Sequence, residues 1–335
     1  MLFHPSIIAL LLASALSSLA LVGSALFAVT LLRHWNLSSG SERQIVLEQR
    51  TYLVTTVLKL ALIFEAGSLL LFVFNADKMA KLFVGAMCAV GTLNVNPYGF
   101  PALILKIAVF FLSAAWLMLH HIDSQGYDYP LIRVKYAALL FLAPVALVSA
   151  FVQLTYFLDL KADVLTSCCS TLFGGSTVVT TNNMGFAPEA WSLGGLALVL
   201  AATGLVGLWH LKRGRGGLAY ALLSLSVLVV ALIAIVSAIS VYVYEQPHHH
   251  CPFCMLKQEY GYVGYALYLP LFLGTATGIG AGLASFAGRW PSLSLASPAL
   301  SKRFAYVSLL SFLVFAGAAV GLIMKSHLIL FEGFA

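Results

Sequence analysis

Eight separate stretches of this sequence are apolar over a length sufficient to cross a lipid bilayer. A helix rises 1.5 Å per residue, so crossing about 30 Å of hydrocarbon takes about twenty residues. Only 9% of the 335 residues are charged, whereas a soluble domain has roughly 25%. We therefore predict an all-α polytopic membrane protein whose transmembrane helices occupy residues 6–32, 52–74, 101–119, 136–158, 190–211, 218–244, 262–286 and 304–325.

The first apolar stretch is interpreted as a retained helix and not as a signal peptide. No lysine or arginine precedes it, and it is about twice as long as the apolar region of a signal peptide. We therefore predict a single integral membrane domain over residues 1–335.

Basic residues are distributed unevenly over the connecting segments. Every arginine follows the first, third, fifth or seventh predicted helix, whereas the other connections carry only lysines. Because cytoplasmic segments are enriched in Lys and Arg, this side is predicted to be cytoplasmic, with both termini external, in a bacterial inner membrane. Lys59 and Lys106 lie inside predicted helices near an end and are expected to snorkel. The net charge of +6 does not indicate nucleic-acid binding, because no basic stripe interleaved with aromatics is present.

All the cysteines fall in connections of the predicted external side. The first lies between helices two and three, a pair lies between helices four and five, and a second pair lies between helices six and seven: Cys88, Cys168, Cys169, Cys251 and Cys254. The sequence thus predicts a collection of thiols at one membrane surface.

The cysteine-bearing connections recur at regular intervals, which indicates repeated helical hairpins. The first two connections each open with an acid, read as a short amphipathic segment in the interface, and continue through Gly, Thr and Asn. The predicted repeats cover residues 1–99, 100–187 and 188–261, followed by a final helix pair at 262–335. Resemblance between unrelated interfacial loops is the simpler alternative.

The most informative motif is His-His-His-Cys-Pro-Phe-Cys-Met at residues 248–255. A Cys-x-x-Cys pair brings two sulfur atoms within reach of one disulfide or one metal ion. Tyrosines on both sides are typical of the aromatic belt at a membrane surface, namely Tyr242, Tyr244, Tyr260, Tyr262, Tyr265 and Tyr268. The motif is therefore predicted to lie close to the membrane surface.

Thiolate, thioether and imidazole groups together favour Cu(I), whereas Zn(II) can use the Cys and His subset. We therefore predict a soft-metal site, with copper preferred and zinc as the alternative ion. Its candidate ligands are His248, His249, His250, Cys251, Cys254 and Met255, with Cys168, Cys169 and Cys88 as a second station. The predicted function is metal handling that supports transport or the maturation of a metalloprotein, which requires an extracytoplasmic partner protein or other membrane subunits.

Two other functions remain open. Cys251 and Cys254 could be the catalytic pair of a membrane thiol–disulfide oxidoreductase that passes electrons to a quinone. The chain could instead be a permease or scaffold subunit whose cysteines are structural. Whether the protein is an enzyme depends on which of these functions it has.

Glu65 is an acid near the centre of the second predicted helix. An ionised carboxylate at this depth costs several kcal/mol, so it should be neutral or paired. Lys59 lies on a different face of the same helix, and Gln153 and Tyr156 are the expected hydrogen-bonding neighbours. The functional interpretation is proton or ion passage, and a satisfied packing residue is the alternative.

Helix seven contains small residues at a spacing that permits close helix packing. Gly274, Gly278 and Gly282 are expected to contact neighbouring helices, and Gly317 and Gly321 in helix eight are expected to match them.

Overall fold

A computed structural model of the chain is all-helical over the residues it describes, which are 5–35, 41–86, 88–161, 189–246 and 249–328. Eight helices in these ranges are long and apolar enough to cross a membrane, which confirms the predicted polytopic membrane fold. In chain order they are α1 (Pro5–His34), α2 (Glu42–Met79), α4 (Gly99–Asp123), α5 (Ile132–Leu158), α6 (Glu189–Arg213), α7 (Gly217–Ala234) continued by α8 (Ser240–Tyr244), α9 (Val263–Ala287) and α10 (Ala296–Lys325). A short helix, α3 (Ala89–Leu93), lies between α2 and α4.

The connection between α2 and α4 contains the first of the two predicted amphipathic segments. The helix α2 itself extends to Met79, and a single 3₁₀ turn follows at Ala80–Leu82. The second predicted segment, after α5, falls largely on residues 162–188, outside the described ranges.

The chain forms two compact units. The N-terminal unit comprises Met1–Thr166 and Ala287–Ala296, and the C-terminal unit comprises Ser167–Phe286 and Ser297–Ala335. The hairpin repeats predicted from the sequence remain a prediction.

In the N-terminal unit, α1 packs against α2 and α5, and α4 packs against the same two helices. Leucines and aromatic rings from these helices form one continuous core that includes Leu21, Leu58, Trp116 and Leu139. The opposite faces of the helices carry exposed leucines, such as Leu19 and Leu60. Apolar side chains on the outer surface are expected where lipid is the solvent.

In the C-terminal unit, α9 packs closely against α7 and α10. A Cβ atom added at Gly278 would overlap Ser224 Oγ, and one added at Gly274 would lie 2.8 Å from Phe312 Cε1. Ser308 Oγ donates a hydrogen bond to Gly274 O at 2.6 Å. These contacts confirm the small-residue packing predicted for helix seven.

The matching prediction for helix eight is wrong. Among the residues that the structure describes, a Cβ atom added at Gly317 or Gly321 would meet nothing within 4 Å. The face of α10 that packs against α9 is instead defined by Ser301 and Ser308, whose hydroxyls donate to backbone carbonyls of α9. Serine is small enough to permit the same close approach, and it adds an interhelical hydrogen bond.

Candidate metal site

The connection between α8 and α9 brings two cysteine sulfur atoms together. Cys251 is half-buried and Cys254 is buried, and their Sγ atoms lie within 4.8 Å of each other. The chain turns sharply after Pro252 and enters a 3₁₀ turn at Cys254–Leu256. The amide of Leu256 donates to Phe253 O, which closes this turn. The spacing of the Cys-x-x-Cys motif is therefore realised as a compact turn.

The phenol of Tyr244, the last residue of α8, links both ends of the motif. Its hydroxyl donates to Cys251 O at 2.5 Å and accepts the backbone N–H of Met255 at 2.9 Å. Tyr268, on α9, donates its hydroxyl to Pro252 O at 2.8 Å. Two helices thus hold the backbone around both cysteines through side-chain hydrogen bonds. The sequence predicts an aromatic belt for these tyrosines and carries no signal for this hydrogen-bonding role.

His250 is oriented by a defect in the preceding helix. A π turn at Ile235–Ile239 joins α7 to α8. Within it, Val236 O accepts hydrogen bonds from Ser240 Oγ and from His250 Nδ1 at 3.1 Å. Since a carbonyl can only accept, Nδ1 carries the proton, and a neutral ring then keeps a lone pair on Nε2. Metal-binding histidines show the same pattern of Nδ1–H bonded to a carbonyl. The ring nitrogens of His250 are not among the candidate ligand atoms that lie within 4.8 Å of one another.

The thiols also influence an adjacent tyrosine electrostatically. Partial burial raises the pKa of the Tyr260 phenol above its ordinary value, and the negative charge of Cys254 and Cys251 in their thiolate forms raises the pKa further. The Tyr260 ring stands edge-on to Tyr244, with ring centroids 4.7 Å apart. The His249 ring lies 4.2 Å from the Tyr244 ring, between centroids. The rings of His249 and Tyr260 therefore both contact the ring of Tyr244, whose hydroxyl holds the cysteine turn.

The distance between the sulfur atoms fits a shared metal ion. A zinc–thiolate bond is about 2.3 Å long, so two sulfurs on one ion lie at most about 4.6 Å apart. The observed spacing of Cys251 and Cys254, within 4.8 Å, is compatible with this limit. The protein therefore has a cysteine cluster that could hold a metal ion, and the arrangement selects no particular metal.

The remaining predicted ligands are placed as follows. Cys88 lies in the N-terminal unit, is buried, and immediately precedes α3. Met255 is buried, and its side chain and that of Leu256 pack where a Cβ atom at Gly264 would lie. Cys168, Cys169 and His248 lie outside the described residues. The participation of all of these residues in metal binding remains a prediction.

Glu65 is paired, as its depth required, but its partner differs from those expected. Lys106 Nζ donates to Glu65 Oε1 at 2.8 Å, and the two side chains are 0% and 2% exposed. Lys106 therefore does not snorkel, because an intramembrane carboxylate holds its ammonium group inside the unit. The Gln153 amide donates to Ser14 Oγ, which also accepts from Lys106. Gln153 is therefore linked to the ion pair through Ser14. Tyr156 donates to Thr92 O and not to Glu65.

A second buried ion pair, which the sequence reasoning missed, lies at the other end of α4. Lys135 Nζ donates to Asp123 Oδ2 at 2.7 Å, and Asp123 Oδ1 accepts the backbone N–H of Leu131. The spacing of twelve residues between the two charges placed them in different helices, so helical periodicity could not identify the pair.

Comparisons with known proteins return nothing similar: no family model matches the chain, and neither a curated protein nor a solved structure matches it. The function of the site therefore has to be inferred from its own chemistry.

Proposed function

We propose that this membrane protein binds a soft metal ion, copper by preference, through Cys251 and Cys254. The ion would be handled at the membrane in support of transport or of the maturation of a partner metalloprotein. The observation that carries the proposal is the placement of two sulfur atoms within 4.8 Å of each other on a backbone that hydrogen bonds from outside the turn hold in place. Such fixing reduces the ordering that metal binding would otherwise require.

The choice of copper rests on ligand type. Thiolate and thioether ligands favour Cu(I), and Met255 follows Cys254 directly in the turn. Zn(II) would need further Cys or His ligands to complete a tetrahedral site. The other predicted ligands, His248, His249, His250, Cys88, Cys168 and Cys169, would supply such a set or a second station for ligand exchange.

Metal binding by the full chain tests this proposal directly. The protein is purified in detergent under reducing, metal-free conditions and titrated with Cu(I) or Zn(II) against a competing chelator. We expect stoichiometric metal in the wild type and loss of this metal in Cys251→Ser and Cys254→Ser. Acid should release the metal, because thiols must be deprotonated to bind it. Retention of the metal in the Cys251→Ser, Cys254→Ser double variant would overturn the assignment.

A matched pair of histidine variants tests the role of His250. We expect His250→Ala to weaken metal binding, whereas His34→Ala should not, because His34 is exposed and bonded to Thr30 O of its own helix. Cys88→Ser and the Cys168→Ser, Cys169→Ser pair show in the same assay whether these thiols add to the stoichiometry.

A second candidate function is thiol–disulfide exchange, which the unequal exposure of the two cysteines favours. Reactive cysteines are partially exposed, and Cys251 is half-buried while Cys254 is buried. A disulfide between them would take two electrons from a partner dithiol, and a quinone would then take the electrons from the reduced pair. This function requires a reversible Cys251–Cys254 disulfide with a potential between about −270 and −120 mV, together with no retained metal.

A further inference from the structure

The N-terminal unit holds a network of polar groups buried among four helices. Lys106, on α4, donates to Glu65 and Ser68 of α2 and to Ser14 of α1, at 2.8, 3.0 and 3.3 Å. Gln153, on α5, joins the network through Ser14 at 3.1 Å. The ammonium group thus uses its three protons on partners from two helices, and every spanning helix of the unit contributes to the network.

Packing alone does not account for these charges. Transfer of a charged side chain to the bilayer centre is costly. A well-packed apolar replacement of a buried ion pair is often as stable or more stable. An ionisable group at this depth is therefore a functional site unless shown otherwise.

The face of α4 that bears Lys106 continues as a polar line. Ser113 and His120 follow at intervals of seven residues, which keeps all three side chains on one face of the helix. The distance from Lys106 to His120 is about 21 Å along the axis, or about two-thirds of the hydrocarbon thickness. Near its far end, His120 Nδ1 lies 3.4 Å from Lys135 Nζ, which pairs with Asp123.

The middle residue of this line carries an unsatisfied hydroxyl group, and a second such group lies on α5. Ser113 on α4 and Ser149 on α5 are both fully buried, and within the described part of the chain their Oγ atoms have no hydrogen-bonding partner. In the same unit, Thr55 Oγ1 and Tyr136 Oη are hydrogen-bonded to each other at 2.9 Å. Buried polar atoms of this kind are ordinarily satisfied by internal water.

We propose that the N-terminal unit conducts protons along this line, with the Glu65–Lys106 pair as its proton-exchanging station and water bridging the serine hydroxyls. A proton entering from the Gly99 end of α4 binds the Glu65 carboxylate. Lys106 then releases a proton from Nζ toward the waters at Ser113 and on to His120. Direct transfer from the Glu65 carboxyl to the neutral Lys106 amine, across the 2.8 Å hydrogen bond, restores the ion pair. One proton enters and one leaves in each cycle, and the movement requires no oxidant or reductant.

Reconstitution of the full chain into liposomes tests this proposal. A potassium diffusion potential drives protons into vesicles that contain a pH-sensitive dye. We expect the wild type to give a proton flux above that of protein-free vesicles. The Glu65→Gln, Lys106→Met double variant removes both charges together and should lower the flux about tenfold or more. Glu48→Gln is the matched control, because Glu48 is an exposed carboxylate of the same helix.

Ser113→Ala keeps the ion pair and removes only the hydroxyl, so it tests the line even if the double variant does not fold. We expect it to reduce the flux severalfold while size-exclusion profiles and metal binding by the C-terminal unit stay unchanged. A wild-type flux equal to that of empty vesicles would overturn the proposal, as would wild-type conduction in the double variant or in Ser113→Ala. The metal assay is independent of this result, so failure of one proposal leaves the other intact.

Discussion

At the scale of single residues, Tyr244 links both ends of the candidate metal site. Its one hydroxyl group both donates and accepts, and the two partners lie on either side of the Cys-x-x-Cys turn. The ring also contacts His249 and Tyr260. Removal of the hydroxyl leaves the ring contacts in place and separates the hydrogen-bonding role from the packing role.

Tyr244→Phe should therefore weaken metal binding without unfolding the protein. The buried N–H of Met255 would lose its acceptor, at a cost of about 1–3 kcal/mol. If about half of this cost falls on the metal-bound state, the affinity for the metal decreases about two- to twelvefold. Competition titration with a Cu(I) chelator measures the change. Tyr262→Phe is the control, since that side chain is half exposed, and equal affinities for the two variants would show that the hydroxyl does not position the turn.

Sequence reasoning identified residues whose chemistry is distinctive but not the residues that hold them. The cysteine pair, the histidines and Glu65 are recognisable because their types are rare in apolar surroundings. Lys106 and Tyr244 have ordinary alternative explanations, snorkelling and an aromatic belt. Only the helix arrangement shows that Lys106 points inward to Glu65 and that Tyr244 points to the turn.

At the scale of elements, the packing of α9 depends on where its glycines lack a side chain. Gly278 faces Ser224 of α7 so closely that no Cβ atom fits without displacement. In α10, by contrast, a Cβ atom added at Gly317 would contact none of the residues in the described ranges. The two positions allow one substitution to be compared in a tight and in an open environment.

Gly278→Ala should destabilise the protein, whereas Gly317→Ala should be neutral or stabilising. Overpacking at a helix contact costs about 1–3 kcal/mol, whereas replacing an unneeded helical glycine with alanine gains at most about 1 kcal/mol. Thermal unfolding of the purified protein in detergent measures both. Equal midpoints for the two variants would contradict the close approach of α7 and α9.

Helix number was predictable from the sequence, but helix ends were not. Hydropathy identifies the stretch that must lie in hydrocarbon, and the length requirement makes eight such stretches unambiguous. Helices continue past that stretch wherever backbone hydrogen bonding continues. The helix α2 begins at Glu42, ten residues before the predicted apolar segment at 52, and α10 begins at Ala296, eight residues before the segment at 304. These extensions contain charged residues such as Arg43 and Lys302, which periodic apolar patterns do not capture.

At the scale of the whole molecule, the distribution of arginines predicts the orientation in the membrane. All arginines follow odd-numbered predicted transmembrane helices, and all cysteines follow even-numbered ones. The positive-inside rule then places the cysteines outside. This orientation, on which the external metal site depends, is a prediction that labelling can test.

In a cysteine-free background, a membrane-impermeant maleimide should modify Tyr262→Cys in spheroplasts and should modify Ser294→Cys only after lysis. Both positions are exposed. Tyr262 lies between α8 and α9, on the predicted external side, and Ser294 lies between α9 and α10, on the predicted cytoplasmic side. Immunoblots of a mass-shifted reagent report the modification. Labelling of both positions, or of Ser294→Cys alone, before lysis would place the cysteine turn on the other side or invalidate the assigned topology.

The π turn at Ile235–Ile239, between α7 and α8, has a consequence for engineering. Each residue of a helix turns the chain by about 100°, so regularising this turn would swing the final helical residues, including Tyr244, away from the cysteines. The Val236 carbonyl that accepts the hydrogen bond from His250 would also change direction. A graft of residues 245–262 onto a hairpin of regular α-helices would transfer the candidate ligands. It would not transfer the groups of α7 and α8 that orient them.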